Sequence, residues 1–348
     1  MSRCLIGLGS NQGNRRKTLD RAVAAIAAHR AVRLLGQSRW HETRPVGGPP
    51  GQPAFLNGAL LVETSLEPRT LLKLLETIEA DAGRVRLQRW DPRTLDLDLL
   101  LFDDLVVDTP ELVVPHPRMA WRRFVLEPAA EVACSILHPT IGWTVEELLD
   151  HLNTAVPYVA VAGGIGAGKS QLAERLGASG AVELIAERID AARLGRFYAD
   201  PPSHAWRTEL EFLGARKRLL DAGLPRWAEP DKAWVSDFWF DQSLAFARVW
   251  LEPPQLSRFE ARWEEARKEV VPPKLLVLLD VPGEELFRRV QERARPYERG
   301  LSEAQLDRIR RAVRERATRP GQGPLLRMSA PTPDEAIEEV QAALAAMQ

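Results

Sequence analysis

Residues 158–170 read Tyr158-Val159-Ala160-Val161-Ala162-Gly163-Gly164-Ile165-Gly166-Ala167-Gly168-Lys169-Ser170. A β-rich apolar run feeds into GxxxxGK[ST], and a helical pattern from Gln171 to Leu176 follows. Strand, glycine loop and helix in that order are the context in which this motif cradles phosphate. The glycines let backbone N–H groups point at phosphate oxygens, and the helix N-terminus adds positive partial charge. A nucleoside triphosphate is therefore expected here, with Gly163, Gly166 and Gly168 shaping the loop. Lys169 would reach the terminal phosphates, and Ser170 would hold at least one Mg²⁺.

Working outward, strands are predicted at Val182–Ala186, Ala233–Ser236 and Leu275–Asp280, separated by long helical stretches. That alternation means an α/β P-loop domain with a parallel, helix-covered sheet. Ligands in such sheets bind at the carboxyl ends of the strands. Glu187 and Asp237 each follow a predicted strand, so one can serve as a base and the other as a magnesium or water ligand. Arg288, Arg289, Arg293 and Arg295 can clamp phosphate or form a solvated helix face. The segment from Asp334 to Met347 predicts a terminal helix.

Asn153-Thr154-Ala155-Val156-Pro157 marks a boundary between domains at 1–153 and 157–348. The first half mixes strands at Arg3–Gly9, Phe55–Glu63 and Thr94–Phe102 with helices at Asn14–His29, Glu67–Ala82 and Val145–Leu152. Leu19, Val23, Ile26 and Ala27 share a face of the first helix, and Leu71, Leu72, Leu75 and Ile78 one of the second. This mix argues an α+β domain on a mainly antiparallel sheet. Within Thr94–Phe102, Asp96 and Asp98 project to one side while Leu95, Leu97 and Leu99 face a core. Two acids that close need a counter-ion, and Mg²⁺ shared with substrate phosphates suits them. Just upstream, Arg84, Arg86, Arg89 and Arg93 offer bidentate phosphate contacts, and Trp90 can stack on a flat ring.

The chain has 348 residues and a net charge of −1, and neither half carries the basic excess of a nucleic-acid binder. Two cysteines, Cys4 and Cys134, exclude a disulfide framework. Without a long apolar run or a signal-peptide pattern, no membrane partner is expected and the chain reads as cytoplasmic.

The first half closely resembles 6-hydroxymethyl-7,8-dihydropterin pyrophosphokinase of folate biosynthesis. The matching segments are Gly7-Leu8-Gly9-Ser10-Asn11, Glu42-Thr43-Arg44-Pro45-Val46-Gly47, Gln52-Pro53-Ala54-Phe55-Leu56-Asn57, Arg89 to Asp98, and Val114-Pro115-His116-Pro117-Arg118. The resemblance implies a ferredoxin-like α+β fold and pyrophosphate transfer from ATP to the pterin hydroxymethyl group. Asp96 and Asp98 would hold two Mg²⁺ ions, Arg84 and Arg93 would contact phosphates, and His116 and Arg122 would line the ATP site. Asn57 would bond the pterin edge between Phe55 and Phe124, with backbone contacts from Thr43 and Val46. Glu79 matches a residue near the nucleotide.

From about Tyr158 to Gly300 the chain resembles the deoxynucleoside kinase family, through its P-loop and Phe197-Tyr198-Ala199-Asp200-Pro201. The resemblance makes Glu187 the base for a sugar 5′-hydroxyl and Asp237 the second strand-end acid. It makes Arg289, Arg293, Arg295 and Glu298 the lid. Glu209 stands where the family has a base-reading Gln, with Arg216 retained seven residues on. Ser243 and Leu244 replace an Asp-Arg pair. Glu209, Arg216 and Asp237 are thus the expected nucleoside contacts. An ionised Glu209 only accepts hydrogen bonds, which would favour the two adjacent donors of guanine; the alternative is that it pairs with Arg216 or points to solvent and reads no base. The resemblance allows a homodimer through this domain. The whole reads as a bifunctional kinase for pterin and deoxynucleoside. The alternatives for the second half are a nucleotide-binding regulatory module, which need not keep Glu187, or another small-molecule P-loop kinase.

Overall fold

The computed structural model describes every residue except 50, 84–91, 189 and 230. It divides into two compact units: Met1–Asn153 together with Ala342–Gln348, and Thr154–Gln341.

In the first unit, β1 (Ser2–Ser10) leads to α1 (Arg15–Ala28). The Asn14 side chain accepts from Lys17 N at 3.1 Å, satisfying a backbone donor that the first turn would otherwise leave bare. The helix buries Leu19, Ala22, Val23 and Ile26. Ala27, expected on that face, is exposed because the stripe runs through Ala22 instead. Strands β2 (Val32–Gln37), β3 (His41–Thr43) and β4 (Phe55–Thr64) follow. Next comes α2 (Pro68–Asp81), with Pro68 in its first turn, where no N–H is missed. Strand β5 (Asp96–Phe102) completes an antiparallel sheet of order β2-β4-β1-β5, with β3 paired to β4. Leu95, Leu97 and Leu99 pack with Ile6, Leu8, Leu19, Leu71 and Leu75 in one core. Each such side chain contributes roughly 1.5–3 kcal/mol by burial. The strands β6 (Val107–Thr109) and β7 (Leu112–Val114) form a hairpin, followed by α3 (Arg123–Ala133) and α4 (Val145–Thr154).

The sequence reading contained no β2, β3, hairpin or α3. Strand β2 carries Arg33 and Gly36 and exists through its pairing with β4. Helix α3 contains Pro128, a local breaker, yet it buries Val125, Leu126 and Ala129 and packs on β4. Tertiary burial overrides propensity in both.

In the second unit, the P-loop strand β8 (Tyr158–Gly163) is buried throughout, the mark of a strand covered on both faces. The chain continues through α5 (Lys169–Ala178), β9 (Glu183–Ile185), α6 (Ala191–Ala199) and α7 (Pro201–Leu220). Then come β10 (Trp234–Ser236), α8 (Gln242–Trp250), α9 (Pro253–Arg267) and β11 (Leu275–Asp280). Helices α10 (Gly283–Arg293) and α11 (Glu303–Ala317) and strand β12 (Leu325–Ser329) follow, and helix α12 (Pro333–Ala346) starts in this unit, its residues from Ala342 on grouping with the first. The sheet is parallel, in the order β12-β11-β8-β10-β9. Only β12, at one edge, had no counterpart in the sequence reading. Among the described residues no helix is long and apolar enough to cross a membrane.

Candidate active sites

In the first unit one row of the sheet sets the site. Gly9 of β1 lies between Asn57 of β4 and Asp96 of β5 in register, and Gly7 lies beside Asp98. A Cβ on Gly9 would sit 3.0 Å from Asn57 Oδ1 and 3.8 Å from the Cβ of Asp96. The glycine therefore leaves a floor open between an amide and a carboxylate. Asn57 is buried and its Nδ2 donates to Thr43 Oγ1 at 2.7 Å, which fixes the amide orientation from β3. Phe55 pairs with Thr43 two residues earlier on β4, which places it on the same face as Asn57. Val46 lies in the β3–β4 connection, half-buried.

Asp96 and Asp98 are half-exposed while Leu97 and Leu99 are buried, as the alternation required. Arg93 Nη1 donates to Asp96 Oδ2 at 2.5 Å. His116 Nε2 stands 4.0 Å from Asp98 Oδ2. Burial, helped by the Arg122 and Arg118 charges, holds the His116 pKa down to about 3, so the imidazole is neutral at physiological pH. Its Nδ1 accepts from Arg118 N at 3.2 Å, which leaves Nε2 as the protonated nitrogen. Arg122 lies over both the Trp121 and Phe124 rings, 5.6 and 5.5 Å from their centroids. Arg84, Arg86, Arg89 and Trp90 lie outside the described residues.

Two supporting residues, Asn11 and Ser10, had no assigned task. Asn11 Oδ1 accepts from Arg93 N at 2.7 Å, and Ser10 Oγ donates to Thr94 O at 2.6 Å. Together they fasten the segment that delivers Arg93 and Asp96. Glu79, expected near nucleotide, is buried in α2, and its Oε1 accepts from Leu97 N at 2.7 Å. Its position thus bears on the strand that presents the aspartates.

In the second unit Gly163, Gly166 and Gly168 have φ of 153°, 84° and 97°, values that favour glycine. Lys169 Nζ donates to Gly163 O at 3.1 Å and Gly164 O at 2.9 Å. Burial lowers its pKa to about 8, against the opposing pull of Asp237 and Glu187. Ser170 Oγ donates to Asp237 Oδ2 at 2.8 Å, and Glu187 N donates to Asp237 Oδ1 at 2.8 Å. Asp237 thereby ties the P-loop helix to the segment that carries Glu187. Gln242, unassigned in the sequence reading, accepts from Gly163 N at 3.4 Å.

The lid arginines divide. Arg293 Nη2 donates to buried Glu298 at 2.6 Å, with Arg295 at 3.8 Å from the same carboxylate. Arg293 is also close enough to help depress the Lys169 pKa. Arg288 and Arg289 instead both bond Glu285 on their own helix.

Glu209 and Arg216, both on α7, are buried. Arg216 bonds Glu187 and the Ser243 hydroxyl. Glu209 takes no part in that pairing. Burial pushes its pKa up to about 8, with Arg216 opposing and Glu187 reinforcing the shift. The ionised Glu209 expected from sequence is thus corrected: at neutral pH it is mostly protonated, with one donor and one acceptor, as a Gln would have. The argument for guanine loses its premise.

Each unit thus gathers acids beside groups able to bind phosphate, an arrangement of the kind that ATP-dependent phosphoryl-group transferases use. Residues 5–134 match the family model for 7,8-dihydro-6-hydroxymethylpterin-pyrophosphokinase, and residues 159–319 match that for deoxynucleoside kinase. The 2-amino-4-hydroxy-6-hydroxymethyldihydropteridine pyrophosphokinase of Synechocystis sp. is 38% identical over 178 residues, covering 51% of this chain and 90% of that protein. Its Bacillus subtilis counterpart is 50% identical over 127 residues, covering 36% and 75%. Among solved structures, deoxyadenosine kinase from M. mycoides with bound dATP matches with a TM-score of 0.46 at 16% identity, over 53% of this chain and 96% of that one. The chain belongs to the 7,8-dihydro-6-hydroxymethylpterin-pyrophosphokinase family through its first half, and its second half is similar to the deoxynucleoside kinase family over residues 159–319.

Proposed function

We propose that the two halves are separate catalysts on one chain. The first transfers pyrophosphate from ATP to 6-hydroxymethyl-7,8-dihydropterin, and the second phosphorylates a deoxynucleoside 5′-hydroxyl with ATP. The domains are proposed as 1–153 and 157–348, although the last residues, Ala342–Gln348, group with the first unit. For the first, the carrying observation is the Asn57–Gly9–Asp96 row: a fixed amide faces a carboxylate across an open glycine. Asn57 would bond the pterin edge, Phe55 and Phe124 would stack on it, and Thr43 and Val46 would add backbone contacts. Arg84, Arg93, His116 and Arg122 would bind the ATP phosphates and ring. The order β2-β4-β1-β5, with α1 and α2 as crossovers, supports a ferredoxin-like arrangement.

The donor chemistry fits magnesium. Asp96 and Asp98 are hard oxygen ligands on one strand face, and Ser170 with Asp237 forms a second oxygen pair. Among the described residues no three His, Cys, Asp or Glu form a cage, so substrate phosphates would complete each shell. Two Mg²⁺ ions on the aspartates and one at Ser170 would neutralise charge developing on the phosphates.

For the second half, the carrying observation is the chain of bonds joining Ser170, Asp237 and Glu187 beside Lys169. Glu187 would accept the proton of the attacking hydroxyl. The P-loop N–H groups and Lys169 would hold the phosphates, and Arg289, Arg293 and Arg295 would stabilise the transferring group. Full-length protein with ATP should form AMP when given the pterin, and ADP plus a deoxynucleoside monophosphate when given a deoxynucleoside. Absence of either product removes that half of the proposal.

A further inference from the structure

Arg216 is where the geometry departs from the role its position suggested. Its Nε donates to Glu187 Oε1 at 2.7 Å and its Nη2 to Glu187 Oε2 at 3.1 Å, a two-pronged grip on the carboxylate. Its Nη1 donates to Ser243 Oγ at 2.9 Å. The Phe212 and Phe238 rings lie 5.3 and 5.7 Å from its guanidinium carbon. Only 4% of the residue is exposed. All three guanidinium nitrogens are therefore engaged, one anchoring on α8 and two aimed at the carboxylate that follows β9.

We infer that Arg216 is a positioning residue for Glu187, acting through that carboxylate and not on the nucleobase. A carboxylate that must take a proton from a hydroxyl works only from a narrow range of positions. Glu187 lies in the connection after the short strand β9, and its backbone N–H is tied to Asp237. A bidentate guanidinium, itself fixed by Ser243 and two rings, sets the plane of the carboxyl group. Ser243 belongs to the same device: its hydroxyl stops Arg216 from rotating toward the neighbouring Glu209. The assignment rests on the deoxynucleoside kinase reading of this half.

The test uses the full-length chain, with pterin pyrophosphorylation as the control for intact protein. R216A should lower kcat for deoxynucleoside phosphorylation about 10–100-fold, a fraction of what loss of a general base costs. KM for the deoxynucleoside should move less than about threefold. R216K, which keeps the charge but loses the fork, should recover part of kcat. S243A, a milder change should R216A fold poorly, should lower kcat by a smaller factor in the same direction. In an E187Q background R216A should add nothing further to the loss of kcat, since its effect passes through Glu187. A rise in KM with kcat preserved, or full additivity with E187Q, overturns the inference and returns Arg216 to nucleoside binding. A wild type that phosphorylates no deoxynucleoside overturns the kinase reading, and this inference with it.

Discussion

Glu209→Gln isolates a proton that the fold holds. The Glu209 carboxyl has a pKa near its model-peptide value of 4.5 in the unfolded chain and about 8 in the folded one, chiefly because burial disfavours the anion. Between those values the folded protein binds one more proton than the unfolded chain. Stability therefore falls as pH rises through this window, and levels off above about pH 8. Each unit of separation is worth about 1.4 kcal/mol, so the loss accumulated by pH 7 is roughly 3 kcal/mol. Relaxation and water entry soften the penalty, so that figure is an upper bound. For a unit of this size each kcal/mol shifts the melting temperature by about 2–4 °C. Gln cannot titrate, and whatever its amide costs in that pocket is the same at every pH. The E209Q-minus-wild-type difference in melting temperature should therefore grow in favour of E209Q from pH 5 to pH 8, by several degrees. Calorimetric scans of the two full-length proteins in parallel buffers measure it. A difference that stays constant across that range would refute the argument and leave Glu209 ionised throughout.

Three further outcomes are expected. D98A should cut AMP formation with the pterin by orders of magnitude while pterin binding in the absence of nucleotide changes little, as titration calorimetry would show. K169A should abolish deoxynucleoside phosphorylation and leave pterin pyrophosphorylation intact in the same preparation, since the proposed phosphate-binding groups of the first half are its own. G9A should weaken pterin binding, because the new Cβ would press on Asn57 Oδ1 at 3.0 Å; unchanged affinity by calorimetry would show that the open floor is not where the pterin lies.

What the sequence made legible follows from range. The P-loop is a contiguous octapeptide whose glycines, lysine and serine act on one ligand, so its meaning survives without a fold, and the positive φ values at Gly163, Gly166 and Gly168 follow from it. The Asp96–Asp98 pair was equally local, because strand alternation alone puts side chains two apart on one face. Gly9 was quotable as part of a motif, but its use depends on a register across three strands that no spacing along the chain reveals. Arg216 shows the sharper limit. Residues 187, 216 and 243 come from three separate segments, and which carboxylate the arginine serves is decided by packing around α7 and α8. Once that pairing is made, the charge state of Glu209 follows chiefly from burial, a quantity with no counterpart in composition. Residue type announced the chemistry available at each position, while the partner that each charge finds in three dimensions determined which of those chemistries it keeps.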